Sequence, residues 1–290
     1  TITATSVVST TDADANDILL TATSGDVALG LVRVGPVNTD ATAGDVTIQA
    51  TSGAITDIGN DTTTDVQGDV VTLTASGDIG QTANAHIDTR ANSLVLSSNS
   101  SSVAGTHGTW INEFNAVTVT SAGTTDGVIV ITSAGTMTVT SVTAGNTVNG
   151  ARDVNLVTTS GDVLLDLVST SGPNASIVRI SAAGGIVDNN GASNNISSNG
   201  ALLRAVTGIG SADALETTVS NLSASNTTSG NILISNTGGL TITSLATFGD
   251  SLAGVTESAA GNIVIRALSP LTVNSPVSST AGGNITLASE

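Results

Sequence analysis

The stretch Gly230 to Leu245 reads Gly-Asn-Ile-Leu-Ile-Ser-Asn-Thr-Gly-Gly-Leu-Thr-Ile-Thr-Ser-Leu. Ile232 and Ile234 alternate with residues that can face outward, a Gly-Gly turn follows, and Leu240 opens a second apolar run. Alternation with period two marks a strand with one buried face. The same unit starts at Ile18, Val46, Val71, Val128, Val154, Val178, Ile232 and Ile263, and Ile285 begins another copy. Each copy has apolar residues at its first and third positions, a small or polar residue at its fifth, and an apolar residue again eight or nine positions on. Leu94 with Leu96 and Val117 with Val119 fill the gap between Val71 and Val128. Short strands recurring at roughly 24 residues predict the coils of a parallel β-solenoid.

The expected architecture is all-β, about 11–12 coils of roughly 24 residues forming a single continuous solenoid over residues 1–290. At the spacing of paired strands, such a rod is about 50–60 Å long. The segments from Asp17 and from Asp153 resemble each other at an offset of 136 residues, which suggests two divergent modules, about 12–150 and 151–290. The unit fits less well over 201–222, where Ala212 to Glu216 reads as a loop or a short helix. It breaks at 81–91, 103–115 and 211–221. Strand patterns begin at Thr1 and run to Ser289, so the chain is expected to be a segment of a longer protein or a filament subunit with uncapped ends.

Composition agrees with thin repeated layers. Aromatic residues are 1% of the chain, so the core must be built from Val, Ile, Leu and Ala. There is no Cys, and the six basic residues are all arginine against 23 acidic ones, a net charge of −17. That charge repels nucleic acid and anionic membranes and favours cations. No apolar run approaches the ~20 residues of a membrane span. Neither nucleic-acid binding nor membrane insertion is expected.

Asn231, Asn262 and Asn284 each precede the first anchor of a unit, as do Asp17, Asp45 and Asp153. Stacked Asn side chains can bond along the axis, whereas stacked Asp would repel unless separated, exposed or bridged by a cation. Asp12, Asp14, Asn16 and Asp17 have the alternating oxygens of a Ca²⁺ loop but lack the Gly and Glu that complete one. Two readings stand, a Ca²⁺ site and an Asx-rich turn. His107, Trp110 and Phe114 lie in one of the breaks. They form either a loop that holds a glycan or partner, or a plug over the core. Phe248 invites the same two readings. Sequons occur at Asn60, Asn99, Asn174, Asn195, Asn221, Asn226 and Asn284.

A polysaccharide-cleaving site is poorly supported. Asn38-Thr39-Asp40 and Thr106-His107-Gly108 resemble fragments of polygalacturonase signatures, but the paired Asp and the basic triplet that should accompany them are missing. The acidic residues are scattered through turns and do not converge. No catalytic residue and no cofactor beyond Ca²⁺ is expected.

The repeats at Gly44-Asp-Val-Thr-Ile-Gln-Ala-Thr-Ser-Gly-Ala-Ile and Gly230-Asn-Ile-Leu-Ile-Ser-Asn-Thr-Gly-Gly-Leu resemble the β-strand-repeat arrays of bacterial secreted exoproteins, including filamentous-haemagglutinin-type adhesins and giant surface or matrix proteins. The resemblance covers nearly the whole chain as a pattern. It implies a right-handed parallel β-helix, export to the extracellular space or the bacterial cell surface, and a stalk, filament or matrix role. The expected partner is another copy of the chain or further repeats of the same chain. The alternative is an adhesin that holds glycans or cells through its inserted loops. The Asn-Pro-Asn hallmark of two-partner secretion is absent from this sequence.

Overall fold

A computed structural model describes residues 1–11, 15–36, 43–81, 85–100, 107–145, 152–172 and 175–290. These residues form 28 strands and no helix. β-Branched side chains, stiff at χ1, suit this extended backbone. Nearly all pairing is parallel, between strands about one coil apart in sequence. The result is a β-solenoid of about eleven turns, with some 24 residues per turn.

Three strand faces enclose the core. On the first, one inward ladder runs Ile2, Val27, Ile55, Ile79, Thr109, Ile129, Val154, Val178, Ala201, Leu222, Ile242, Val273. On the second, another runs Leu20, Ile48, Leu73, Leu96, Ala122, Val142, Val168, Ile196, Thr217, Asn236, Ala267, Ser289. A third ladder, Ile87, Ile111, Ile131, Leu156, Ile180, Leu203, Ala224, Val255 and Val277, runs beside the first, two residues further along the strands Gly108–Glu113, Val128–Ser133, Val154–Thr158 and Ile177–Ser181 that carry both, and has strands of its own only near the ends. Both twelve-rung ladders pass unbroken from the first coil to the last, so at the spacing of paired strands each is about 53 Å long. One contiguous apolar cluster fills the interior.

The ladders place three features of the sequence. First, the units starting at Ile18 and Val154 occupy different faces, although their sequences resemble each other. Ile18 continues through Val46, Val71 and Leu94 to Val119, Val139 and Leu165, whereas Val154 continues back to Val27 and Ile2. An offset of 136 residues is about five and two-thirds turns, which returns the pattern one face away.

Second, the inward residues of strand Val128–Ser133 are Ile129, Ile131 and Ser133. Val128 and Val130 belong to a separate outer cluster. Four consecutive β-branched apolar residues carry no alternation, so the phase could not be read from them. Third, residues 201–222 are regular. Strands Ile196–Ala205 and Leu215–Asn226 pair over nine residues, and Ala212 to Glu216 forms a bend leading into a strand.

Among the described residues, an interruption of the parallel coils lies elsewhere. Strands Ser244–Thr247 and Asp250–Ala253 form an antiparallel hairpin between the first-face strand Leu240–Ile242 and the third-face strand Val255–Glu257. Phe248 and Gly249 make its two-residue turn, both with positive φ (49° and 74°). That is the twist a tight hairpin requires, and Gly249 meets it without strain. At its base, Gly254 N–H donates to the Thr243 carbonyl at 3.0 Å, so the coil closes beneath the hairpin.

Candidate functional site

Asn231, Asn262 and Asn284 stack in one column. The Asn231 side-chain oxygen accepts the Asn262 backbone N–H at 2.8 Å, and the Asn262 oxygen accepts that of Asn284 at 2.9 Å. The bonds therefore run from side chain to backbone. A turn N–H without a strand partner finds the Asx oxygen of the coil before it. Asp17 uses the same device, accepting from Asp45 N–H at 2.9 Å, and Asp45 accepts from Val70 N–H at 3.1 Å. Each carboxylate thus meets an amide hydrogen of the next coil, which offsets the repulsion expected of stacked Asp. Asp153 lies in another column and accepts from Ile177 N–H at 2.8 Å. Of the Ca²⁺-spaced residues, Asp12 and Asp14 lie outside the described residues. Asn16 donates through its side-chain amide to the Thr11 carbonyl at 3.3 Å.

His107, Trp110 and Phe114 are carried to three different surroundings. Strand Gly108–Glu113 points Ile111 into the core and Trp110 to the outer surface. His107 Nδ1 pairs with Asp78 at 2.5 Å, while the other Asp78 oxygen accepts Gly108 N–H at 2.9 Å. This pair edges an open groove of about 380 Å³ with Asp26, Ser52, Ser76 and Ser100. Phe114 lies beneath the Arg90 guanidinium at 5.9 Å. Trp110 stacks on His86 at 5.7 Å and meets the Phe248 ring edge-on at 6.4 Å, with Val128 and Val130 beside it. Trp110 is only 9% exposed. Val103 to Thr106, like Asn38 to Asp40, lie outside the described residues.

The sequence reading missed the polar residues that face inward at the corners. Glu113 is fully buried. It accepts from Thr89 Oγ1 at 2.7 Å and from the backbone N–H groups of Ala91 and Asn115 at 3.1 Å. Glu257, also fully buried, accepts from Asn226 and from Ala259 N–H, and Asn226 in turn accepts Gly208 N–H at 2.8 Å. Asn236 and Asn195 likewise accept the N–H groups of Val219 and Glu216. These side chains supply acceptors for corner amides that no strand reaches. The available signal was a polar residue at an expected inward position, as at Asn236.

Burial has a marked electrostatic effect on three acids. It pushes the Glu113 carboxyl up to about 8 against the pull of its donors. It pushes Asp65 up to about 8 and Asp88 to about 6, with Asp57 close by adding like charge to both. Among the described residues, no group of three or more His, Asp or Glu is arranged to hold a metal ion. Sequon residues Asn195 and Asn226 are buried, whereas Asn60, Asn99 and Asn284 are exposed.

No protein-family model, curated protein or solved structure matches this chain. A surface groove of about 560 Å³ is lined by Thr170, Ser197, Ser198, Asn199, Thr218, Ser220 and Thr237, without an aromatic or charged side chain. The last coil differs from the rest. Ile285 and Leu287 pair with Ile263 and Ile265, which are fully buried, yet they are themselves 44% and 37% exposed. Val273, the final rung of the first-face ladder, is also exposed.

Proposed function

We propose that this chain is a structural segment of an extracellular stalk, filament or surface matrix, extended by end-to-end continuation of the solenoid. The observation that carries the reading is the pair of twelve-rung ladders, in which every coil stacks in parallel register on the one before it and so is itself a template for another. Covering one apolar rung of such a ladder contributes about 1.5–3 kcal/mol.

Both ends also present the same two ladders. The first-face ladder starts at Ile2 and finishes at Val273, and the second-face ladder starts at Leu20 and finishes at Ser289. A next coil, from the same chain or from a second copy, can therefore stack in register. The net charge of −17 keeps the flanks of such rods apart and favours growth along the axis. The resemblance of the repeats to secreted exoprotein arrays supports an extracellular setting.

Electron microscopy and light scattering on the purified chain over a range of concentrations test the reading. Fibres are expected whose axial repeat is about one rod length, ~53 Å, and Ile285→Arg should shorten them to single rods. Single rods at every concentration, identical for the parent chain and Ile285→Arg, would overturn it.

A further inference from the structure

In a solenoid each coil touches only its neighbours, so stability is a sum of local terms and coils can open one at a time. The hairpin departs from that arrangement. It lies on an outward column of the first face, in which Trp110, Val130, Asn155, Arg179, Leu202 and Ser223 follow one another rung by rung. Alternation would leave this column exposed, yet Leu202 and Ser223 are fully buried. Leu245, on the first arm, packs close against Gly200.

Polar contacts follow along the same line. Arg204 grips the Asp250 carboxylate with two donors, Nε at 2.9 Å and Nη2 at 2.8 Å, and also donates to the Ser251 carbonyl at 2.9 Å. Arg179, one coil back, donates to the same carboxylate at 2.9 Å and to Asn155 at 2.7 Å. Thr247 bonds Asp153 through their side chains. Phe248 at the tip closes on Trp110. The column from Ser223 to Trp110 is six rungs, about 24 Å, and a four-residue arm of about 14 Å extended by an aromatic ring has much of that reach. Two of the six arginines of the chain converge on one side chain of the hairpin.

We propose that the hairpin Ser244–Ala253 is an axial clasp that ties the coils between Trp110 and Ser223 into one cooperative unit, so that they open together and not singly. The coupling is carried by contacts of one continuous segment with rungs as far apart as those of Trp110 and Arg204, which do not touch each other. Bidentate guanidinium–carboxylate geometry and the Phe248–Trp110 contact give it directionality at its middle and its tip. This holds whether or not the ends of the rod associate.

Hydrogen exchange read by mass spectrometry on the whole chain tests it. Two variants are compared with the parent: a deletion of 244–253 that joins Thr243 to Gly254, whose backbones are already bonded, and the milder pair Phe248→Ala with Asp250→Asn. Amides of strands Val128–Ser133, Val154–Thr158 and Ile177–Ser181 should exchange at least about ten-fold faster in both variants. Those of Ile18–Ala22 and Val46–Ala50, which the hairpin does not reach, should be unchanged. Unchanged protection in the first three strands, or a uniform loss along the whole rod, would overturn the proposal.

Discussion

Glu113 makes the pH dependence of this fold predictable in sign. It is fully buried at a corner, and burial raises its carboxyl from 4.5 to about 8. Asp65 and Asp88, raised to about 8 and about 6, act in the same direction. Below about pH 4 these groups are protonated in both the folded and the unfolded chain and contribute no difference. Between about pH 4 and 8 the unfolded chain has released protons that the folded chain retains, so stability falls as pH rises. Above about pH 8 both states are ionised, and the folded chain bears the full cost of the buried charge.

For Glu113 alone the displacement corresponds to on the order of 5 kcal/mol across that window, with a slope of at most about 1.4 kcal/mol per pH unit. That is a large part of the stability of an ordinary domain. Self-repulsion of the acidic surface has the same sign but is screened by salt, whereas a buried carboxyl is not. The assay is therefore urea unfolding followed by circular dichroism from pH 4.5 to 8.5 in 0.5 M NaCl, roughly a 4 Å Debye length. The parent chain should be most stable near pH 4–5. Glu113→Gln should lose up to about 1.4 kcal/mol per pH unit of slope between pH 5.5 and 7.5. Stability that rises from pH 5 to 7.5, or a slope untouched by Glu113→Gln, would refute the reasoning.

Four further substitutions probe the coils. Ile131→Ala empties a fully buried rung between Ile111 and Leu156 and should cost about 2–5 kcal/mol by urea midpoint, with or without the hairpin. The cost of Val130→Ala should vanish once residues 244–253 are removed, because Val130 packs outward toward Phe248. Gly108 has φ of 141°, and a Cβ there would lie 2.0 Å from the Val128 carbonyl oxygen, so Gly108→Ala should lower stability by at least about 3 kcal/mol. Gly123, with open space around it, should accept Ala at little cost or with a gain of about 0.5 kcal/mol.

The residues that announce the fold are those that repeat it. Ile232, Ile234 and Leu240 read as strand, turn and strand because a coil of this size has no freedom to vary its alternation, and the same constraint acts on every copy. Face assignment was less legible. A three-sided coil offers each strand pattern three equivalent positions, and the similarity between the Asp17 and Asp153 segments records the pattern without the face. Val128 to Ile131 hides its phase for a different reason. The hairpin covers its outer side, so both sides of the strand are selected to be apolar.

The hairpin was the least legible element of all. Its anchors, Trp110, Asp153, Arg179 and Arg204, lie 46 to 138 residues before the segments they hold. Nothing local distinguishes Arg179 from any other outward strand residue. A periodic sequence reports interactions that recur at its period. The clasp spans several periods and occurs once among the described residues, so it leaves no periodic trace. The single Trp of the chain and one of its two Phe meet there, and in a core built without aromatic residues that scarcity was the one local sign that these positions do something other than fill a coil.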